Sequence, residues 1–346
     1  MIEVLRELSE AVGVSGEEGE VRALILKHIR EHVDDVQLDA LGNVIALKRG
    51  TGAAKLRVMA AAHMDEVGMM VMGFDSDGMI RFSAVGGLDA RILPGVRVWV
   101  GPDKIPGVIA WTPIHLNKDQ DTVPIDRLRI DIGAANRDAA QKAVSRGDRI
   151  AFASPFEELG PTVRGKAFDD RAGCASLIRL VQGERFPFDL YAVFTVQEEV
   201  GLRGARAAAG RIQPDVAFVL ETTACHDLPQ DPDEPDQTTI TRLGNGPAIT
   251  VADHSMVSDP RLVRHLVRAG EAAGIPHQFR SPQHAGGTDA GAIHRTGVGV
   301  PSVVVATPCR YIHGPYAIMS VADWENQAAL LRAAWETLDE RVLARA

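Results

Sequence analysis

The sequence predicts an α/β sandwich with a small all-β module inserted into it. Toward both ends of the chain, apolar strand-like runs alternate with stretches of helical periodicity, the pattern that layers helices on a sheet. Between residues 70 and 160, roughly, the runs become short and are punctuated by Gly, Pro and Asp, as in "RVWVGP", "GVIAWTP" and "DRIAFAS". A third observation concerns chemistry. Ionisable residues recur just beyond the C-terminal ends of the apolar runs, where ligands bind in α/β sheets.

Along the chain, residues 2–34 read as a helix, a turn at "GVSGEE" and a second helix, and Ser15 with Glu18 has capping-box spacing. Residues 55–71, "KLRVMAAAHMDEVGMMV", read as an apolar strand carrying a polar cluster. The β module follows, interrupted by a long polar loop at 115–127. After Gly165 the spacing predicts a helix over 170–182, a strand over 190–197 and a helix over 201–210. A strand over 215–221, a helix over 259–273 and a strand over 301–307 come next, and a long helix from Val321 closes the chain. The acidic, Pro-rich stretch 227–237 reads as a solvated loop.

Composition narrows the function. The 346 residues leave room for about two domains, and 45% hydrophobic residues suffice for a core. Aromatic residues at 5% argue against a stacking surface for bases or sugars. A net charge of −9 without a long basic run argues against nucleic acid and anionic membrane as partners. No apolar stretch approaches the roughly 20 residues of a membrane span. The acidic, amphipathic N-terminus resembles neither a signal nor a transit peptide. Three cysteines, Cys174, Cys225 and Cys309, form no CxxC pair; this fits a reducing cytoplasm and argues against a Cys-ligated zinc site.

The polar residues at the run ends form a set. His63, Asp65 and Glu66 follow the first apolar run, and Glu198 and Glu199 follow "YAVFTV". Glu221 follows "DVAFVL", His313 follows "PSVVVATPCRYI", and Asp169 and Asp170 precede a helix. Singly, each has a plainer reading as a helix cap, a first-turn acid or a hydrogen-bonded histidine. Jointly, histidines and carboxylates suit zinc, cobalt or manganese. Two ions sit roughly 3.5–4 Å apart when one carboxylate bridges them, and a further carboxylate then moves protons. Adjacent Glu198 and Glu199 can supply one base and one ligand only where the strand frays, because successive strand side chains point to opposite faces.

The motifs "HMDEVG", "GKAFDDRAG", "VQEEVGLRGA", "LETTACHDLP", "GGTDAGAIH" and "RYIHGP", in that order, are similar to those of the dinuclear metallo-aminopeptidases of the tetrahedral (TET) type, often labelled glutamyl aminopeptidase or "cellulase M". The opening "LRELSEAVGVSGEEGEVR" resembles that family too, so the likeness covers nearly the whole chain. It implies a three-layer, zinc-peptidase-like sandwich with a mixed sheet, formed by 1–67 and 162–346. It also implies a β-barrel-like dimerisation or assembly domain at 68–161, with the loop around 115–127 reaching a neighbouring subunit. By that resemblance His63 and Glu221 hold one metal, Glu199 and His313 hold the other, and Asp169 bridges them. Glu198 is the general base, Asp65 fixes the His63 tautomer, and the Asp169–Asp170 peptide is cis. Glu221 stands where relatives often carry Asp, and its longer arm leaves metal spacing and identity open.

The expected cofactors are two divalent ions, zinc first, with cobalt or manganese as alternatives. The expected substrates are peptides with a free N-terminus, and the expected assembly is a homo-oligomer, from dimer to tetrahedral dodecamer. Gly287, Thr288 and Asp289 are candidate substrate contacts, and Arg280 and Arg310 are candidate sources of a preference for acidic side chains. Two rival expectations are a metal-dependent deacylase of N-acyl amino acids and a catalytically silent assembly protein of the same fold. A glycosidase is disfavoured, because those enzymes work with a metal-free carboxylate pair and aromatic platforms are scarce here.

Overall fold

The computed structural model describes the chain except residues 112, 114, 116–121, 230–232, 234–239, 281–285 and 345–346. Much of the polar stretch at 115–127 and most of the acidic stretch at 227–237 thus lie outside the described residues.

The chain opens with helices α1 (Ile2–Glu10) and α2 (Gly19–Ile29), then strands β1 (Asp35–Leu38), β2 (Val44–Lys48) and β3 (Arg57–His63). Next come β4 (Gly68–Phe74), β5 (Ile80–Val85), β6 (Arg97–Val100), β7 (Ile105–Ile109), β8 (Ile130–Asp131), helix α3 (Arg137–Ala143) and β9 (Arg149–Phe152). After β10 (Glu157–Leu159) and β11 (Thr162–Gly165), α4 (Phe168–Gln182), β12 (Asp189–Thr195), α5 (Arg203–Ile212) and β13 (Val216–Ala224) follow. The last elements are β14 (Ala248–Thr250), α6 (Pro260–Ala273), β15 (Gln278–Arg280), α7 (Ala290–Ile293), β16 (Ser302–Arg310), β17 (Ala317–Ser320) and α8 (Val321–Glu336).

The strands sort into two bodies. A large mixed sheet runs β1-β2-β12-β3-β13-β16-β17-β11-β10, with β14 and β15 added beside β16. Its centre, β12-β3-β13-β16, is parallel. Those strands are buried nearly throughout, which is why they read as continuous apolar runs rather than alternating ones. One face is covered by α1, α2, α4, α6 and α8, whose Trp335 packs edge-on against Phe186, Phe188 and Phe218. The other face carries α5 and α7. The second body is a closed six-stranded barrel, β4-β5-β8-β7-β6-β9, with its own core of Met69, Val71, Phe82, Val100, Ile130 and Ile150.

Three expectations change. The run 55–71 is not one strand: it ends at His63, and the chain re-enters a strand in the barrel at Gly68. The connection is pinned by Glu66, whose carboxylate accepts from the buried Lys166 ammonium at 2.7 and 2.8 Å and from Arg171 at 3.3 Å. The Ser15–Glu18 capping box does not form, since α2 starts at Gly19 with no side-chain cap. The last helix stops at Glu336, so over residues 337–344 its expected continuation is replaced by turns and loop. The hairpin β1–β2 was not expected at all. No helix among the described residues is long and apolar enough to cross a membrane.

Candidate active site

Four neighbouring parallel strands point their C-terminal ends the same way, so the polar residues beyond them converge. His63 ends β3 beside Thr195 of β12, and Glu198 and Glu199 lie just past Thr195. Glu221 lies within β13, opposite Ala306 of β16, and His313 follows β16 by three residues. Asp169 arrives at the start of α4, where the Asp169–Asp170 peptide is cis and both residues depart from helical φ/ψ.

The adjacent glutamates reach one site because the strand ends irregularly. Gln197 sits at φ +56°, a left-handed conformation unusual for a residue with a side chain, and it breaks the strand alternation. Ala167, Leu202, Tyr311 and His313 also have positive φ, so strained backbone clusters around the site. The chain then enters α5 through a close approach at Gly204, where a Cβ would lie 2.4 Å from the Val196 carbonyl oxygen.

The Asp169 carboxylate lies between the two imidazoles. Its Oδ1 is 3.1 Å from His63 Nε2 and its Oδ2 is 3.3 Å from His313 Nε2. Glu221 Oε1 lies 3.5 Å from His63 Nε2, and Glu199 Oε1 lies 3.3 Å from His313 Nε2. Each imidazole is oriented by its other nitrogen. His63 Nδ1 faces the Asp65 carbonyl oxygen at 3.1 Å and Asp65 Oδ1 at 3.4 Å. His313 Nδ1 faces the Gly87 carbonyl oxygen at 3.0 Å. Two acceptor environments make both Nδ1 atoms N–H donors, so each Nε2 faces the carboxylates, donating to Asp169 while the ring is protonated and offering a lone pair to a cation once that proton is displaced. The expected Asp65 contact is thus mainly through its backbone. Its carboxylate accepts instead from the amides of Glu198 and Glu199, at 3.0 and 3.2 Å, and from Ser15 Oγ at 2.6 Å.

The charges are crowded. Burial and the neighbouring Asp169 push the Glu199 carboxyl up to about 7. Burial, with Asp169 close by, pushes Glu221 up to about 8. Burial and the Glu221, Asp289 and Glu199 carboxyls raise Glu198 well above the usual range. Burial opposes a charged His313, yet Asp169 and Glu199 outweigh it and raise the ring to about 9. Asp169 is held low despite burial by hydrogen bonds from His313 and His63.

This donor set fits divalent cations. Donor atoms of His63, Asp169 and Glu199 lie within 4.8 Å of one another, as do those of His63, Asp170 and Glu221. Asp170 is already engaged, accepting from the His63 amide at 3.2 Å and the Gly173 amide at 3.0 Å. Among the described residues Glu199 Oε1 is buried and makes no hydrogen bond, with His313 Nε2 at 3.3 Å as its ion-pair contact. Buried carboxylate oxygens crowded against imidazoles are what a cation would satisfy.

A cleft of about 470 Å³ opens beside these residues, lined by Glu198, Thr222, Arg280, Gly287 and Thr288 among others. Of the candidate substrate contacts, Gly287 and Thr288 face it. Asp289 is 1% exposed, and its carboxylate accepts from the Thr195 hydroxyl instead. Arg310 is held by Asp227 through two hydrogen bonds of 2.7 and 2.9 Å, whereas Arg280 lines the cleft. Sequence reasoning missed Gly87, which carried no signal, and Ser15 and Glu18, whose spacing suggested a helix cap.

Comparisons with known proteins agree with this fold. A TET aminopeptidase from a marine sediment archaeon, Thaumarchaeota archaeon SCGC AB-539-E09, superposes with a TM-score of 0.93 at 35% identity, covering 99% of this chain and 97% of that one. The TET1 peptidase of Pyrococcus horikoshii, described as able to assemble into a tetrahedron or a large octahedral shell, superposes with a TM-score of 0.86 at 33% identity, covering 97% of this chain and 99% of that one. The lysyl aminopeptidase of Pyrococcus furiosus is 31% identical over 347 residues, 97% of each chain. Residues 42–330 match the family model of the M42 glutamyl aminopeptidases, and the chain belongs to that family.

Proposed function

We propose that this peptidase is a metal-dependent aminopeptidase, with His63 and Glu221 holding one divalent ion, Glu199 and His313 holding a second, and Asp169 shared between them. The observation that carries the reading is the Asp169 carboxylate, one oxygen 3.1 Å from His63 and the other 3.3 Å from His313. The donor set favours zinc and is compatible with cobalt or manganese. Two ions bound there would supply a polarised scissile carbonyl and an attacking water of lowered pKa.

The protein's own groups do the rest. Asp65 and Gly87 hold the two imidazoles by Nδ1. Glu198 is buried, lines the cleft, and makes no ion pair with either histidine among the described contacts. Its carboxylate takes the proton of the attacking water and returns it to the leaving peptide nitrogen, the role of a general base turned acid. Asp169, Glu198, Glu199 and Glu221 line the cleft, so a substrate bound there meets both proposed ion positions and the one carboxylate not assigned to an ion, Glu198. Gly287 lets the substrate approach the backbone closely.

The catalytic unit is assigned to 1–67 and 162–346, and the β domain at 68–161 is assigned to dimerisation. The assembly described for the P. horikoshii relative supports a homo-oligomer. The test is a panel of aminoacyl-p-nitroanilides, free and N-acetylated, assayed after chelation and again after zinc, cobalt or manganese is restored. Metal-restored cleavage of the free-amine substrates alone is the expected result. Inactivity on the whole panel with every metal would overturn the reading, and an assay on N-acyl amino acids would then separate the deacylase, which cleaves them, from the silent assembly protein, which does not.

A further inference from the structure

The Glu198–Glu199 turn is held from a part of the chain that touches no substrate. Three consecutive amides at the end of β12 are bound by two buried carboxylates. Gln197 N–H donates to Glu18 Oε1 at 3.3 Å, Glu198 N–H to Asp65 Oδ1 at 3.0 Å, and Glu199 N–H to Asp65 Oδ2 at 3.2 Å. The connection between α1 and α2 fixes both acceptors. Ser15 Oγ donates to Asp65 Oδ2 at 2.6 Å, and Glu18 Oε1 also accepts from Gly16 N–H at 2.6 Å. Ser15 and Glu18 are 3% and 2% exposed, and although Glu18 stands at the N-cap position neither side chain bonds the first turn of α2, so helix capping does not explain why they are buried. The first amide in the row belongs to Gln197 at φ +56°, the residue whose conformation turns both glutamates into the site.

We propose that Ser15 and Glu18 are positioning residues: through the amides of 197–199 and through Asp65, they set the placement of Glu198 and Glu199. The inference rests on the reading of that pair as base and ligand. A buried carboxylate holding a left-handed turn is the sort of support on which a displacement near 1 Å costs about 10²-fold in rate.

The test compares Glu18→Ala, Glu18→Gln and Ser15→Ala with wild type, by Zn²⁺ titration of the metal-free chain, by kcat and KM, and by Tm. In Glu18→Ala, kcat is expected to fall about 10- to 100-fold with KM within about threefold, because the ground-state cleft is intact. The weaker Zn²⁺ step is expected to weaken about tenfold, because a displaced ligand loses affinity. Both bonds to Glu18 end on one oxygen, which a Gln carbonyl can replace, so Glu18→Gln restores both quantities to within about threefold of wild type. Ser15→Ala shifts them in the same direction as Glu18→Ala and carries the test if that variant does not fold. A purely structural role would lower Tm while leaving kcat per zinc-loaded chain unchanged. Zinc titrations and kcat equal to wild type in both alanine variants would overturn the proposal. Absence of wild-type turnover on free-amine substrates would sink the aminopeptidase reading instead, and the zinc titrations would still decide the positioning role.

Discussion

Replacing Glu198 with Gln separates proton transfer from metal binding. Glu198 is 8% exposed, and no ion pair joins its side chain to His63, Asp169, Glu199, Glu221 or His313 among the described contacts. Gln keeps the shape and leaves the backbone bond from Glu198 N–H to Asp65 in place. What it removes is a proton acceptor, a role worth about 10²- to 10⁴-fold in rate. At about 1.36 kcal/mol per decade, that is about 2.7–5.4 kcal/mol of transition-state stabilisation. Stability should move the other way. Burial and like charges raise the folded proton affinity of Glu198, so its ionised form destabilises the fold as pH rises. The neutral amide removes that repulsion, and the metal-free variant is expected to melt no lower than wild type at pH 8. The assay is kcat on the preferred p-nitroanilide with metal content counted in parallel. Turnover within about threefold of wild type at equal metal content would refute the base assignment.

Three further outcomes follow from the same geometry. His313→Ala removes one of the two imidazoles and is expected to lower metal content by about one ion per chain by elemental analysis; two tightly bound ions would contradict its assignment. Lys166→Met leaves the Glu66 carboxylate buried with Arg171 as its remaining cation, which should cost about 3–5 kcal/mol, read from the shift in chemical denaturation followed by tryptophan fluorescence. The metal-free fold should lose stability from about pH 4.5 to 9. Glu199, Glu221 and His313 have folded values near 7, 8 and 9, above ordinary values of 4.5, 4.5 and 6.5, so their stabilising protonation is fully present below the ordinary values and is lost as pH rises through the folded ones. Zinc displaces those protons, so the Tm gap between zinc-loaded and metal-free protein should widen across the window; a narrowing gap would contradict the account.

The central strands were legible because burial on both faces writes itself as uninterrupted apolar sequence, as in "DLYAVFT" and "VAFVL". The converging polar residues were legible for a related reason, since each stands where an apolar run stops. The break after His63 was not, because only Asp65 and Glu66 interrupt the apolar residues, and "VGMMV" resumes at once as the chain passes from the sheet into the barrel. The hairpin β1–β2 escaped notice because its outer strand, "DVQL", is short and mostly exposed. Ser15 and Glu18 show how spacing can mislead: three residues apart before a helix, they match a cap, yet their partners are 50 and 179 positions away in sequence, at Asp65 and Gln197. Asp289 shares a motif with Thr288 but turns beneath the cleft floor, a difference of direction that no sequence pattern records.

The most direct test of the dinuclear centre is a crystal structure of the zinc-loaded protein with anomalous data collected at the zinc edge. The account predicts two peaks roughly 3.5–4 Å apart, one on each side of the Asp169 carboxylate, the first against His63 and Glu221 and the second against Glu199 and His313. A single peak, or a pair that leaves Asp169 outside its coordination, would contradict it.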